Sequence, residues 1–178
     1  RISPELSIFK YSNFNSIIDA RSPLEFLDDH IPEAINLPVL NDMQRSFIGT
    51  MYKQNGPFEA KKAGAALVAQ NIAYHLQTKL LGKDKNWRPL IYCWRGGQRS
   101  SAMAKIFSDI GWECKVIDGG YKAYRKKVLA GLDQLPERFR FIVLSGATGT
   151  AKTKILRAAS ALGSVALTCT RGEESLTA

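Results

Sequence analysis

Pro89-Leu-Ile-Tyr-Cys-Trp-Arg-Gly-Gly-Gln-Arg-Ser-Ser101 sets a continuous apolar run against a polar stretch, with a double glycine between them. Pro89–Cys93 has the unbroken apolar character of a strand buried on both faces. Ser100 or Ser101 is suited to cap a helix over Ser100–Ile110, and Gly111 to stop it. A buried strand running through a short loop into a helix is the repeating unit of a parallel α/β sheet. The same alternation continues outward in both directions. Strands are expected at Leu6–Phe9, Ser16–Ala20, Ala34–Leu37, Cys114–Asp118 and Phe141–Ser145. A helix is expected over Glu59–Leu81, where Ala66, Ala69, Ala73, Leu76 and Leu80 step by three and four and Gly82 follows as the stop. Another is expected over Tyr121–Ala130, ended by Gly131. The fold class is therefore α/β, an open parallel sheet flanked by helices.

Composition agrees with a folded chain. Of 178 residues, 45% are hydrophobic and 23% charged, which excludes a disordered or fibrous protein. No run approaches the roughly 18 apolar residues of a membrane-spanning helix, so no membrane partner is expected. Residues 1–10 lack the apolar core of a secretion signal, and the missing initiator Met points to a trimmed sequence. Cys93, Cys114 and Cys169 cannot all pair and show no CxxC spacing, so neither a disulfide framework nor a metal site is expected. A reducing cytoplasm is the expected compartment. Lys and Arg number 25 against 16 Asp and Glu, a net charge of +9. That excess suits a nucleic-acid partner and equally a merely soluble basic surface.

Lys122, Arg125, Lys126, Lys127, Arg138 and Arg140 crowd the stretch around Pro136, which reads as a boundary helix and linker. The domains follow as 1–131, a basic linker 132–140, and 141–178. The last is too short for a second α/β domain, so that domain is expected to be truncated.

Cys93 carries the chemistry. It ends a buried strand, and Gly96 and Gly97 let the next residues fold around its sulfur with N–H groups turned inward, beside the positive end of a helix. Arg95 and Arg99 add charge. Together these features favour a nucleophilic thiolate or a bound anion, with Trp94, Arg95, Gly96, Gly97, Gln98 and Arg99 as the cradle. A buried core cysteine is the competing reading. Cys93 and Arg99 also stand at the Cys-x5-Arg spacing of cysteine-dependent phosphatases and arsenate reductases, whose arginine forks onto a tetrahedral oxyanion. Such an enzyme needs a carboxylic acid for the leaving oxygen, for which Asp19 and Asp118 come forward. Cys114 reads as core, and Cys169 has no assignment.

A second loop, Gly146-Ala-Thr-Gly-Thr-Ala-Lys-Thr153, lies between the strand-like Phe141–Ser145 and a helix-like Lys154–Leu162. This is the context of a phosphate-binding loop, with Gly146 and Gly149 shaping the turn, Lys152 neutralising phosphate and Thr153 reaching magnesium. Ala151 replaces the glycine expected before the lysine and crowds the loop if its φ is positive. After Gly163 no acidic strand end follows to partner the metal.

Ile18-Asp-Ala-Arg-Ser-Pro-Leu-Glu-Phe26 with His30-Ile-Pro-Glu-Ala-Ile-Asn-Leu-Pro38 resembles the N-terminal signature of rhodanese domains, whose persulfide-carrying cysteine falls at Cys93. Ile48-Gly-Thr-Met-Tyr-Lys-Gln54 with Phe58-Glu-Ala-Lys-Lys62, Cys93–Ser100, and Asp118-Gly-Gly-Tyr-Lys-Ala-Tyr-Arg125 resemble bacterial tRNA 2-selenouridine synthases over residues 1–160. The resemblance implies a rhodanese-like sheet followed by a truncated P-loop domain. It further implies replacement of the sulfur of wobble 2-thiouridine in tRNA by selenium from selenophosphate, through a geranylated intermediate made from geranyl diphosphate. By resemblance Cys93 is the catalytic cysteine, and Gly96, Gly97 and Arg99 belong to its loop. A selenophosphate-supplying enzyme becomes a candidate partner. Asp19, Arg21 and His30 are expected to brace rather than react. Lys122, Arg125, Lys126 and Lys127 are candidate tRNA phosphate contacts. The rival readings are a stand-alone sulfurtransferase or Cys-x5-Arg phosphatase, and an inactive tRNA-binding remnant.

Overall fold

The structure, a computed structural model, describes residues 1–4, 11, 13–134, 144–145, 147, 149–161, 168–170 and 173–175. It divides into two units, Arg1–Leu135 and Pro136–Ala178.

In the first unit the elements run β1 (Ser16–Asp19), α1 (Pro23–Asp28), β2 (Ala34–Asn36), α2 (Asp42–Gln54), α3 (Pro57–Thr78), β3 (Pro89–Tyr92), α4 (Gln98–Ile110), β4 (Lys115–Val116) and α5 (Gly120–Gln134). The four strands form one parallel sheet in the order β2-β1-β3-β4. Ile2 bridges Ile117 and continues the β4 edge. Alternate residues of the central strands enter opposite cores, as the period of two requires. Ile18, Ala20, Ile91 and Cys93 face Ile72, Leu80, Met103, Phe107 and Trp112. Ile17, Leu90 and Tyr92 face Ile31, Tyr121 and Tyr124. The parallel arrangement sends the C-terminal ends of β1, β3 and β4 to one edge, where Arg21, Cys93 and Asp118 follow their strands.

Several boundaries differ from those the sequence suggested. The α3 helix buries Ala60, Gly64, Ile72 and His75, while Ala66, Ala69 and Ala73 are exposed. Alanine is nearly neutral about which way it faces, so the larger Ile72 and the hydrogen-bonding His75 set the helix's rotation. His75 Nε2 donates to Pro38 O at 2.9 Å. Helix α3 ends at Thr78 with Lys79 as its C-cap, short of Gly82. Helix α5 runs through a buried Gly131 to Gln134, because one glycine inside a packed helix costs only about 1 kcal/mol. Helix α4 starts at Gln98 with Gly97 as its N-cap, so Ser100 lies inside the first turn; Gly111 stops it with a φ of 109°. Helix α2 was not foreseen from periodicity.

The expected strand at Leu6–Phe9 lies outside the described residues. So does most of Phe141–Ser145, of which Leu144 and Ser145 are not in a strand. The second unit contains α6 (Lys152–Ala161) and an antiparallel pair, β5 (Thr168–Thr170) with β6 (Glu173–Ser175). Among the described residues no helix is long and apolar enough to cross a membrane.

Candidate active site

Cys93 leaves the end of β3 into the α3/α4 core and is 3% exposed. Burial alone would favour the core reading, but its surroundings are not purely aliphatic. Its Sγ lies 3.2 Å from the Oγ of Ser100, which is also 3.2 Å from Gly97 O. A hydroxyl between a sulfur and a carbonyl serves both protonation states. It donates to a thiolate, or accepts from a thiol while donating to Gly97. Sequence reading saw in Ser100 only a cap, because its contact with sulfur depends on the turn of the loop.

The loop itself is held from below by β4 and α5. Gly96 has a φ of +63° and Gly120 one of +59°. A Cβ on Gly120 would stand 2.1 Å from Cys93 O and 2.4 Å from Gly96 N; one on Gly96 would stand 2.5 Å from Ile117 O. Tyr121 N donates to Cys93 O at 2.9 Å and Lys122 N to Trp94 O at 3.0 Å. The first turn of α5 thus binds the outward carbonyls of the loop. Among the described residues, the N–H groups of residues 94–100 meet no acceptor. An anionic sulfur or a bound anion is the kind of group that such amides, at the start of α4, satisfy.

Trp94, Arg95 and Gln98 are exposed, and Gly97 and Arg99 half-buried. The Trp94 ring lies 5.8 Å from that of Tyr121. Arg99 turns to Glu25, with Nη1 2.7 Å from Oε2. Arg45 Nε reaches the same oxygen at 3.0 Å. Burial by itself would raise the Glu25 carboxyl. The hydrogen bond and charge of Arg99, the Ser22 N–H and Arg45 outweigh it and hold the group below the usual carboxylate value. Glu25 lies in the Ile18–Phe26 stretch, but nothing in its spacing links it to Arg99, 74 residues away.

Asp19 and Arg21 brace the edge. Both are buried, Arg21 Nη2 lying 2.6 Å from Asp19 Oδ2 and donating to Asp29 O. The guanidinium lies 4.0 Å from the Tyr121 ring centre, and the Tyr121 hydroxyl donates to Asp29. Burial, then that hydrogen bond, pushes the Tyr121 phenol up to about 12. His30 stacks on Phe26 and pairs with Phe26 O. Asp118 is exposed and paired with Arg1. Asp19 is therefore engaged by Arg21 and Asp118 lies at the surface, which leaves the phosphatase reading without a placed acid. Cys114 is half-buried, its Sγ donating to Ala104 O. The side chain of Cys169 lies outside the described residues.

Along α5, Lys122 and Lys126 are exposed and Arg125 pairs with Asp29 at 3.4 Å. Lys127 instead donates to Pro4 O. In the second unit Ala151 has a φ of +59°, the left-handed conformation that a Cβ disfavours. Lys152 Nζ donates to Ala147 O at 2.6 Å and lies 3.2 Å from Thr150 Oγ1. Gly149 has a φ of +87°, and Gly146 lies outside the described residues. The Thr153 side chain is exposed and makes no hydrogen bond among the described residues. The lysine is turned onto its own loop, and among the described residues no carboxylate is paired with Thr153.

Residues 9–127 match the profile of the rhodanese-like domain. The chain belongs to the rhodanese-like domain family. It is 37% identical over 141 residues to a tRNA 2-selenouridine synthase of Nitrosomonas europaea, covering 79% of this chain and 37% of that relative. It is 36% identical over 164 residues to a tRNA 2-selenouridine synthase of Sulfurovum sp. (strain NBC37-1), covering 86% of this chain and 43% of that one. The chain thus spans about two fifths of the length of the curated relatives it matches. The crystal structure of the N-terminal domain of a Clostridium difficile 630 protein is 36% identical, with a TM-score of 0.56, covering 64% of this chain and 88% of that one. The four-stranded sheet and the Cys93 loop both lie within residues 9–127.

Proposed function

We propose that this rhodanese-like domain serves in tRNA selenation, as a part of a tRNA 2-selenouridine synthase. In this reading Cys93 handles the chalcogen while selenium from selenophosphate replaces the sulfur of wobble 2-thiouridine, through an intermediate S-geranylated by geranyl diphosphate. The observation that carries the reading is the bond between α5 and the loop. Lys122 N–H holds Trp94 O, so the helix that presents Lys122, Arg125 and Lys126 begins against the backbone of the Cys93 loop. Residues three and four apart share a helix face, and basic groups on such a face suit the phosphates of an RNA whose base is to reach Cys93. Lys127, held by Pro4, takes no part in that face.

Nucleosides from 2-thiouridine tRNA, incubated with the protein and its two co-substrates, are to be measured by mass spectrometry. Cys93→Ser is expected to abolish 2-selenouridine in a chain that carries the whole activity. Incorporation unchanged by Cys93→Ser overturns the role of Cys93. A protein that transfers sulfur from thiosulfate but leaves tRNA unmodified overturns the tRNA substrate.

A further inference from the structure

Glu25 holds two guanidinium groups at once, and one of them belongs to the Cys93 loop. Arg99 stands beside Ser100, whose hydroxyl lies 3.2 Å from the Cys93 sulfur. It is also the arginine of the Cys-x5-Arg spacing. From that position a guanidinium forked onto a tetrahedral oxyanion makes a strong phosphate site. Here the fork is turned onto a carboxylate instead, with Nη1 2.7 Å from Glu25 Oε2 and Nη2 3.5 Å from Oε1. Oε2 also takes Arg45 Nε at 3.0 Å and the Ser22 N–H at 3.2 Å.

We propose that Glu25 sets the anion preference of the Cys93 loop. By holding Arg99 it keeps the loop a weak site for phosphate-like dianions and leaves the amides of residues 94–100 to a singly charged chalcogen on Cys93. A dianion entering the loop gains Arg99 only by drawing it from a carboxylate whose side chain is 15% exposed. The Glu25 charge would then rest on Arg45, which is 52% exposed and therefore a well-screened partner. Loss of the inner pair offsets the gain of the new one. Amides and the N-terminal end of α4 supply partial charges only, so a phosphate-like dianion depends on Arg99 for a full charge at the loop. The loop thus keeps room for a tetrahedral anion while lacking the fixed positive charge that would retain it. The part concerning the chalcogen rests on the function proposed for Cys93; the part concerning phosphate does not.

The test is titration calorimetry of the full chain with inorganic phosphate. Glu25→Gln keeps the side chain's shape and an acceptor for Ser22 while removing its charge. It is expected to bind phosphate about tenfold more tightly than the unaltered protein, since Arg99 is released to a charge-assisted fork. Adding Arg99→Met is expected to cancel the gain, so phosphate bound elsewhere drops out of the comparison. No gain in Glu25→Gln, or a gain that survives Arg99→Met, overturns the proposal. Where Glu25→Gln does not fold by circular dichroism, Glu25→Asp takes its place. Its carboxylate is one methylene short of Arg99, so a smaller gain is expected, and none overturns the proposal. Phosphate binding needs no transfer activity, so failure here is separable from failure of the nucleoside assay on Cys93→Ser.

Discussion

The Cys93 loop and the Gly146–Thr153 loop have nearly the same local grammar: glycines, a basic residue, and a helix straight after. They differ in what surrounds them. Gly96 and Gly120 press backbone against backbone, so that a Cβ at either would meet main-chain atoms at 2.5 Å or less. Around Gly149 a Cβ would meet nothing within 4 Å among the described residues. The amides of residues 94–100 have no acceptor among the described residues, whereas Lys152 is turned onto Ala147 O. The first loop is shaped by neighbours that come from elsewhere in the chain. In the second the described contacts are its own, and Ala151 stands in a left-handed conformation. A glycine-rich loop keeps its N–H groups free when other elements hold its carbonyls, as α5 holds those of Cys93 and Trp94.

The sharpest way to break this contrast is Gly120→Ala. With a Cβ 2.1 Å from Cys93 O and a φ of +59°, it is expected to cost about 2–4 kcal/mol in denaturant unfolding and to abolish selenium incorporation. Gly149→Ala, the matching change in the other loop, is expected to cost no more than about 1–2 kcal/mol of backbone strain. Equal costs at the two glycines would remove the distinction drawn between the loops.

Ser100→Ala sharpens the comparison without distorting the backbone. Loss of the only hydroxyl in contact with the Cys93 sulfur among the described residues is expected to slow the Cys93-dependent step about ten- to a hundredfold. That corresponds to a hydrogen bond to a charged group of about 1.5–3 kcal/mol. The melting temperature should change little, and Ser100→Thr should recover part of the rate. An unchanged rate in Ser100→Ala would show that the hydroxyl only fills space. The smallest effect is expected from Ala151→Gly. Relief of left-handed strain, partly offset by the larger unfolded-state entropy of glycine, should stabilise the second unit by at most about 1 kcal/mol. A destabilised second unit would contradict the strain assigned to Ala151.

Much of the first unit was legible in the sequence. The strands at Ser16–Asp19, Ala34–Asn36 and Pro89–Tyr92 lie within one residue of the expected stretches, because continuous Ile, Leu and Tyr runs have few places to go other than a sheet covered on both faces. Helix α4 and its stop at Gly111 were equally plain. The face of α3 was not, since its alanines carry little preference and His75 is settled by Pro38. Helix α2 was not among the expected helices, and none of its residues is buried. Cys93 stands out in the sequence by its position after a strand and before two glycines. The side chains around its loop do not. Ser100 looked like a cap, and Glu25 became part of the site only through its contact with Arg99.

What the chain determines by itself is local and short-ranged: which segments are apolar enough to be strands, where glycine permits a loop, and that a cysteine ends the central strand. Hydrophobic burial and backbone sterics act over a few residues, so their signatures can be read there. The carboxylate that meets Arg99, the glycine beneath Cys93 and the hydroxyl beside its sulfur were decided only by the tertiary structure. Charge pairing, close contact and hydrogen bonding depend on distances of a few ångströms between groups separated by up to 74 residues, and only the folded sheet sets those distances.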